Sequence, residues 1–121
     1  MEKETEFMYT RSENCARMEK NLFGGNGNVQ MKVLAKADEM YKSARLFNHV
    51  TLQPGCSLGY HVHEHETEFY YILKGEAVFS DNGTEVILHA GDISATGNGE
   101  GHSLENRTNE PVELIALVVL E

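Results

Sequence analysis

Hydrophobic and polar residues alternate in short runs along the chain from Val29 to the C-terminus. Alternation with a period of two residues is typical of β-strands that bury one face. Turn residues separate the runs at intervals of about 8–12 residues, which favours a sandwich or barrel of roughly eight to ten strands. The candidate strands are, in chain order, VQMKVLA, ARLFNHVTL, GYHVH, EFYYILKG, EAVFS, TEVILH, ISAT, HSLEN and VELIALVVL.

This pattern divides the chain into two parts. Residues 1–28 are polar and end in GGNGN, so we interpret them as an N-terminal arm or loop that is partly disordered or joins a dimer. Residues 29–121 are predicted to form one all-β domain, a small antiparallel β-barrel or double-sheet jelly roll. Only KADEMYKS predicts a helical turn. The two runs EAVFS and TEVILH flank Asn82-Gly83, a pair that suits the type I′ turn of a β-hairpin.

Charge and composition exclude two classes of partner. The chain has 121 residues and a formal net charge of −9, and no Lys or Arg occurs between Gly75 and Asn106. Surfaces for nucleic acids or anionic membranes need clustered cations, so we expect neither partner. No apolar run reaches the roughly 18 residues that a membrane-spanning helix requires.

The compartment is inferred from the N-terminus and the cysteines. MEKETEFMYT lacks the apolar segment of a signal peptide, so we expect a cytoplasmic protein. In that reducing environment the two cysteines, Cys15 and Cys56, are expected to remain free thiols.

The candidate chemistry is concentrated in HVHEHETE, residues 61–68. His61 and His63 are two positions apart in a predicted strand, so their side chains point to the same face, about 6–7 Å apart along the chain. We expect a hairpin turn to bring Glu68 back opposite them. Glu64, His65, Glu66 and Thr67 are interpreted mainly as that turn, with Glu64 and Glu66 solvated. His102 is a further candidate, but strand periodicity alone does not bring it to the others.

Two spaced motifs place His102 in the same set. G-x5-H-x-H-x4-E-x6-G is matched by Gly55, His61, His63, Glu68 and Gly75. G-x5-P-x-G-x2-H-x3-N is matched by Gly91, Gly99, His102 and Asn106, with Gly97 in place of the proline. Over about residues 45–120 the chain therefore resembles the cupins. Glycine at position 97 allows a looser turn than proline, and we expect it to widen or mobilise the mouth of the site.

The resemblance implies a barrel of two facing sheets and one divalent metal ion held by His61, His63, Glu68 and His102. Such an ion keeps a residual positive charge and two open positions for water, dioxygen or a bidentate ligand. The mixed nitrogen and oxygen donors suit Mn, Fe, Ni, Co or Zn and do not choose among them.

Strand alternation also assigns residues around the site. With Glu68 facing inward, Tyr70 and Ile72 face inward as well, and Leu104 follows His102. Tyr70 and His65 are the two candidates for a catalytic group, although core packing for Tyr70 and a solvated position at the rim for His65 are the simpler interpretations. The remaining candidates are assigned structural roles: His49 and His89 as structural or surface residues, and Asn106 as support for a turn or for the ligands.

Two functions remain open. The first is a metal-dependent enzyme that acts on a small polar oxygenated molecule as an isomerase, lyase or dioxygenase. The second is a non-catalytic cupin that binds or senses a small ligand or the metal itself. The resemblance further implies a homodimer, and both the N-terminal arm and the apolar LIALVVL segment are compatible with one.

The ligand assignment predicts the metal content of the purified protein. We expect about one first-row divalent ion per chain, and its loss in His61→Ala or His102→Ala, because each variant removes one of four donors. Elemental analysis after removal of free ions measures the content. Equal metal content in the variants and the parent protein would contradict the assignment.

Overall fold

The computed structural model describes residues 8–121, and nearly all regular structure in this range is β-strand. The ten strands are β1 (Arg17–Lys20), β2 (Val29–Ala35), β3 (Ala44–Leu52), β4 (Ser57–Val62), β5 (Glu66–Lys74), β6 (Glu76–Asp81), β7 (Thr84–His89), β8 (Ile93–Gly97), β9 (Gly101–Glu105) and β10 (Val112–Leu120). The helical segments of this range are two short 3-10 helices, Ser12–Asn14 and Ala37–Met40. Within residues 8–121, therefore, no helix is long and apolar enough to span a membrane.

The strands form two antiparallel sheets. The six-stranded sheet has the order β1-β2-β3-β10-β5-β8, and the four-stranded sheet has the order β4-β9-β6-β7. One apolar cluster contains buried residues from both sheets, so the inner faces of the sheets pack against each other. This is the double-sheet jelly-roll arrangement, and the prediction of an all-β fold is confirmed.

Most strands lie where the alternation predicts them. Four of them, β2, β3, β7 and β10, have the same bounds as the runs VQMKVLA, ARLFNHVTL, TEVILH and VELIALVVL. The 3-10 helix Ala37–Met40 confirms the helical turn in KADEMYKS. In the β6–β7 hairpin, Asn82 and Gly83 have φ angles of 53° and 100°, as a type I′ turn requires.

One strand lies where the sequence predicts none. Arg17–Lys20, within the proposed N-terminal arm, forms β1 and pairs with β2 at the edge of the six-stranded sheet. All four of its residues are exposed, so no buried apolar face marks the strand in the sequence. Residues 1–7, the first part of the proposed arm, lie outside the described residues.

The last strand, β10, lies between β3 and β5 near the centre of the six-stranded sheet. Its buried residues, Val112, Leu114, Ala116 and Val118, alternate with half-buried ones and face the core. Full burial of a Val or Leu side chain contributes about 1.5–3 kcal/mol, so β10 contributes strongly to stability. Its central position explains why it is apolar at nearly every residue.

Asn106 is wholly buried, and its side chain joins the end of β3 to the turn that follows β9. Its side-chain amide donates hydrogen bonds to the carbonyl oxygens of Leu52, at 2.9 Å, and Glu110, at 2.7 Å. Its side-chain oxygen accepts a hydrogen bond of 2.9 Å from the backbone N–H of Thr108. The expectation that Asn106 supports a turn is confirmed, and the turn is the one between β9 and β10.

These contacts predict the cost of truncating Asn106. Asn106→Ala should lower the free energy of unfolding by about 3 kcal/mol, because it removes several hydrogen bonds and leaves a buried carbonyl without its donor. Asn21→Ala is the matched control, since the Asn21 amide also donates to two carbonyl oxygens but is exposed. The control should cost less than about 1 kcal/mol. Urea denaturation measures both, and equal losses would contradict the role given to Asn106.

Candidate metal centre

Three histidines and one glutamate meet inside the barrel. His61 lies in β4, His63 follows the end of β4, Glu68 lies in β5 and His102 lies in β9. One donor atom from each residue lies within 4.8 Å of all the others. His63, Glu68 and His102 are buried, and the side chain of His61 is only 8% exposed. The cluster could hold a metal ion.

The four side chains come from both sheets. His61 and His102 lie directly opposite each other in the β4–β9 pair of the four-stranded sheet. Glu68 projects from the six-stranded sheet, so the expected hairpin between its strand and the histidine strand is wrong. Instead, the turn at Glu64 and His65 carries the chain from one sheet to the other, and Glu68 reaches the histidines across the barrel interior.

Strand alternation in β4 directs the histidine pair, as expected. Tyr60 and Val62 are each 52% exposed, while His61 and His63 point into the barrel. The backbone N–H of His63 donates a hydrogen bond of 3.1 Å to the carbonyl oxygen of Glu100, which fixes the chain just after the strand ends. Backbone hydrogen bonds therefore hold both imidazoles in place.

The donor atoms are spaced as ligands of one ion would be. Oε1 of Glu68 lies 2.9 Å from Nε2 of His63, 3.0 Å from Nε2 of His102 and 3.4 Å from Nε2 of His61. Nε2 of His102 lies 3.2 Å from that of His63 and 3.0 Å from that of His61. Atoms about 2.1 Å from a common ion are about 3.0–3.4 Å apart in octahedral or tetrahedral geometry.

The hydrogen bonds of the Nδ1 atoms determine whether Nε2 of each imidazole is free to bind an ion. Nδ1 of His61 donates to the backbone carbonyl oxygen of Gly59 at 2.7 Å, and Nδ1 of His63 donates to the Glu66 carboxylate at 2.5 Å. Both partners can only accept, so these nitrogens carry the protons and the Nε2 lone pairs point to the centre. Nδ1 of His102 is buried and has no hydrogen-bond partner among the described residues.

Electrostatics make the cluster a set of acceptors. Burial alone would raise the pKa of Glu68, but the rings of His102, His61 and His63, which donate to it from Nε2 when that nitrogen is protonated, outweigh burial and hold the pKa well below its usual range. Burial lowers the pKa of His102, which favours its neutral ring. The hydrogen bond with Glu68, followed by that with Glu66, raises the pKa of His63, so a proton competes with a metal ion for this ring. A carboxylate and imidazole lone pairs at these separations fit a divalent cation.

Glu66 does not belong to a solvated turn, as the sequence interpretation had it. It is the first residue of β5, and its carboxylate accepts two hydrogen bonds from the Arg45 guanidinium, each 2.7 Å long, as well as the one from His63. The hydrogen bond from Arg45 is the main reason that the pKa of Glu66 falls to about 2. Glu66 and Glu68 are two positions apart in one strand. Strand alternation could therefore have predicted that Glu66 lies on the same face as Glu68.

Two aromatic rings line the histidines. Tyr70 is buried and stacks on His102, with ring centroids 4.6 Å apart and an interplanar angle of 6°. Burial, followed by the nearby Glu68 carboxylate, raises the pKa of Tyr70, so the hydroxyl keeps its proton. Phe23 stacks on His61 at 3.8 Å from the loop between β1 and β2. Nothing in the sequence identified Phe23, because this contact depends on how the loop packs over β4.

The other predicted residues are distributed as follows. The inward positions of Tyr70, Ile72 and Leu104 are confirmed, since all three are buried. The His65 side chain is 85% exposed and its Nδ1 lies 2.7 Å from Oε1 of Glu121, so it is not part of the four-residue cluster. His49 and His89 lie outside the cluster too, as expected. The His49 ring lies beside Glu113, and the His89 ring lies beside Glu76 and Asp92. Both cysteines are free, as expected.

Gly97 packs closely rather than loosely. A Cβ atom at this position would lie 2.5 Å from Oγ1 of Thr67 and 2.8 Å from the carbonyl oxygen of Glu66. These separations are shorter than a side chain tolerates, so glycine here allows the end of β8 to approach the start of β5. The expectation that Gly97 widens the mouth of the site has no support in this packing.

Comparison with known proteins agrees with this fold. The sequence model of the cupin domain matches residues 48–119. An oxalate-binding protein of Thermotoga maritima is 48% identical over 100 residues, which are 83% of this chain and 83% of that protein.

Solved structures show the same likeness. A crystal structure from Thermotoga maritima, described as a predicted oxalate decarboxylase, is 44% identical, with a TM-score of 0.89 over 94% of this chain and 100% of that chain. A sugar phosphate isomerase of the cupin superfamily from Silicibacter pomeroyi shares the fold at 23% identity, with a TM-score of 0.72 over 90% of this chain and 73% of that chain. By its sequence motifs, its double-sheet barrel and these relatives, the chain belongs to the cupin family.

Proposed function

We propose that this protein binds one divalent first-row metal ion through His61, His63, Glu68 and His102, and uses the ion to bind a small chelating anion such as oxalate. The convergence of three imidazole nitrogens on one carboxylate oxygen carries the metal part of the proposal. Oxalate is the first candidate because the 48% identical relative is an oxalate-binding protein.

The charge distribution explains why an anion would need the metal. No Lys or Arg is among the buried residues that the structure describes, and the segment from Gly75 to Asn106 has none at all. The chain as a whole carries a net charge of −9, which repels a dianion. A bound divalent ion supplies the missing positive charge and open positions for two adjacent oxygen atoms.

The residues around the cluster have separate tasks. Because Glu68 and His102 are buried, water does not screen their electrostatic interactions with a charged ligand. Tyr70 keeps its proton and offers an O–H donor beside Glu68. Phe23, stacked on His61, places an apolar surface against the outermost ligand. This combination suits a small polar ligand held against apolar walls.

Calorimetry can test whether anion binding depends on the metal. Oxalate should bind the metal-loaded protein with a signal that disappears after chelation of the ion, and acetate should bind at least about tenfold more weakly because one carboxylate lacks the second chelating group. His102→Ala, loaded and desalted in the same way, controls for loosely bound ions. Equal binding of oxalate with and without metal would contradict the proposal.

Catalysis is a second candidate, favoured by the position of Tyr70. In oxalate decarboxylation the C–C bond breaks, carbon dioxide leaves, and the electron pair on the remaining carbon takes a proton to give formate. The Tyr70 hydroxyl could deliver that proton and recover it from water. The expected outcome is formate production that Tyr70→Phe abolishes while oxalate still binds. Oxalate binding without formate in the parent protein would leave only the binding function.

We also propose that the protein is a homodimer, formed through the outer face of the six-stranded sheet. Two rows of paired residues cross this face: Phe47, Leu117, Phe69 and Ala95, and beside them His49, Ile115, Tyr71 and Ile93. From β3 to β8 neither row contains a carboxylate, Lys or Arg, whereas on β2 Lys32 continues the second row opposite His49. On a chain of net charge −9, this mainly apolar part of the face, from β3 to β8, lets two copies meet with few opposing like charges.

Two matched isoleucines test the dimer. Ile93 lies on the proposed face and is 62% exposed, while Ile87 lies on the four-stranded sheet and is 55% exposed. Light scattering coupled to size exclusion should give a dimer for the parent protein and for Ile87→Glu, and a monomer for Ile93→Glu, because a buried unpaired carboxylate opposes association. A monomeric parent protein, or a dimer that survives Ile93→Glu, would contradict the proposed face.

A further inference from the structure

Behind one of the three histidines lies a chain of charged contacts that the metal-ligand set does not include. Nδ1 of His63 donates to Oε2 of Glu66, and the same oxygen accepts a hydrogen bond of 2.7 Å from Nη2 of Arg45. The second Glu66 oxygen accepts a hydrogen bond of 2.7 Å from Nε of Arg45. The Glu66 carboxylate is thus held at both oxygens, and the side chain is only 15% exposed.

A β-bulge brings Arg45 into this position. In the pairing of β3 with β10, Leu46 lies opposite Val118 and Ala44 lies opposite Val119, so Arg45 has no partner residue. An unpaired bulge residue turns its side chain away from the direction that regular alternation gives it. Here the guanidinium reaches Glu66 on β5, although β10 separates β3 from β5 in the sheet.

His63 is the only one of the three imidazoles with an ionised partner at Nδ1. His61 donates to a neutral backbone carbonyl, that of Gly59. Nδ1 of His102 has no hydrogen-bond partner among the described residues. A carboxylate behind an imidazole fixes its tautomer and orientation and makes the opposite nitrogen a stronger donor. The three histidines are therefore unequal as ligands.

We propose that Arg45 and Glu66 are positioning residues of the metal centre, which hold His63 as its strongest nitrogen donor. The inference rests on the proposed metal binding and extends it beyond the four ligands. Glu66 fixes the proton on Nδ1, so that the Nε2 lone pair faces Glu68 and His102. Arg45 holds the Glu66 carboxylate in a bidentate geometry that Lys cannot reproduce.

The metal test uses Co²⁺, whose visible absorption reports the ligand field, in competition with a chelator. Glu66→Ala should weaken Co²⁺ binding by about tenfold or more, and Glu66→Gln by less, because Gln can still accept the Nδ1 hydrogen bond. Arg45→Met should weaken binding roughly threefold, since Glu66 then loses its fixed geometry. The Co²⁺ absorption band should shift in both Glu66 variants.

Arg107→Met is the matched control for Arg45→Met. Arg107 also binds a glutamate, Glu85, through a guanidinium, with hydrogen bonds of 2.9 Å and 3.3 Å, but it contacts none of the four ligands. Both substitutions change the net charge equally, so a general electrostatic effect would appear in both. Equal Co²⁺ affinity in Arg45→Met and Arg107→Met overturns the role of Arg45. Unchanged affinity and absorption in Glu66→Ala, whatever its thermal stability, overturns the role of Glu66.

A second readout is independent of metal binding. Nitrogen-15 NMR of the metal-free protein at a pH where the rings are neutral should show His63 as the Nδ1–H tautomer, and Glu66→Ala should shift it toward a mixture. If the parent protein bound no Co²⁺, the proposed metal function would be wrong. The spectrum would still show whether Glu66 fixes the proton of His63 on Nδ1. The same His63 tautomer in the parent and in Glu66→Ala overturns that role.

Discussion

The structure depends on one electrostatic constraint: three imidazole nitrogens lie within 3.4 Å of one Glu68 carboxylate oxygen between the two sheets of the barrel. When all three rings are neutral and carry their protons on Nδ1, as the hydrogen bonds of His61 and His63 favour, these four atoms are all acceptors and repel one another. A cation resolves that repulsion, whereas removing any one of the four side chains changes the balance for the remaining three. Packing, tautomers and the surrounding ion pairs serve to maintain this arrangement.

The two-sheet barrel supplies the arrangement at low conformational cost. His61 and His102 are neighbours in one sheet, and Glu68 faces them from the other, so three side chains need no flexible loop to meet. His63 is fixed just after β4 by the Glu100 carbonyl. Sites built on strands are more rigid than sites built on loops. This rigidity suits a centre that must keep its donors in place with or without an ion.

Much of the fold was predictable because alternation reports burial directly. The bounds of β2, β3, β7 and β10 followed from their apolar residues, and the β6–β7 turn followed from Asn82-Gly83. The edge strand β1 could not be predicted, since every residue in it is exposed. For the site, spacing identified His61 and His63, and motif resemblance added His102. Glu66 and Arg45 were missed because a bulge and a change of sheet, not local periodicity, bring them to His63.

The most direct test of the central claim is a crystal structure of the protein purified from its own host, with diffraction data collected at the absorption edges of first-row metals. The account predicts one anomalous peak per chain, about 2.0–2.3 Å from Nε2 of His61, His63 and His102 and from a carboxylate oxygen of Glu68. A peak held by other residues, or none in protein kept free of chelators, would contradict it.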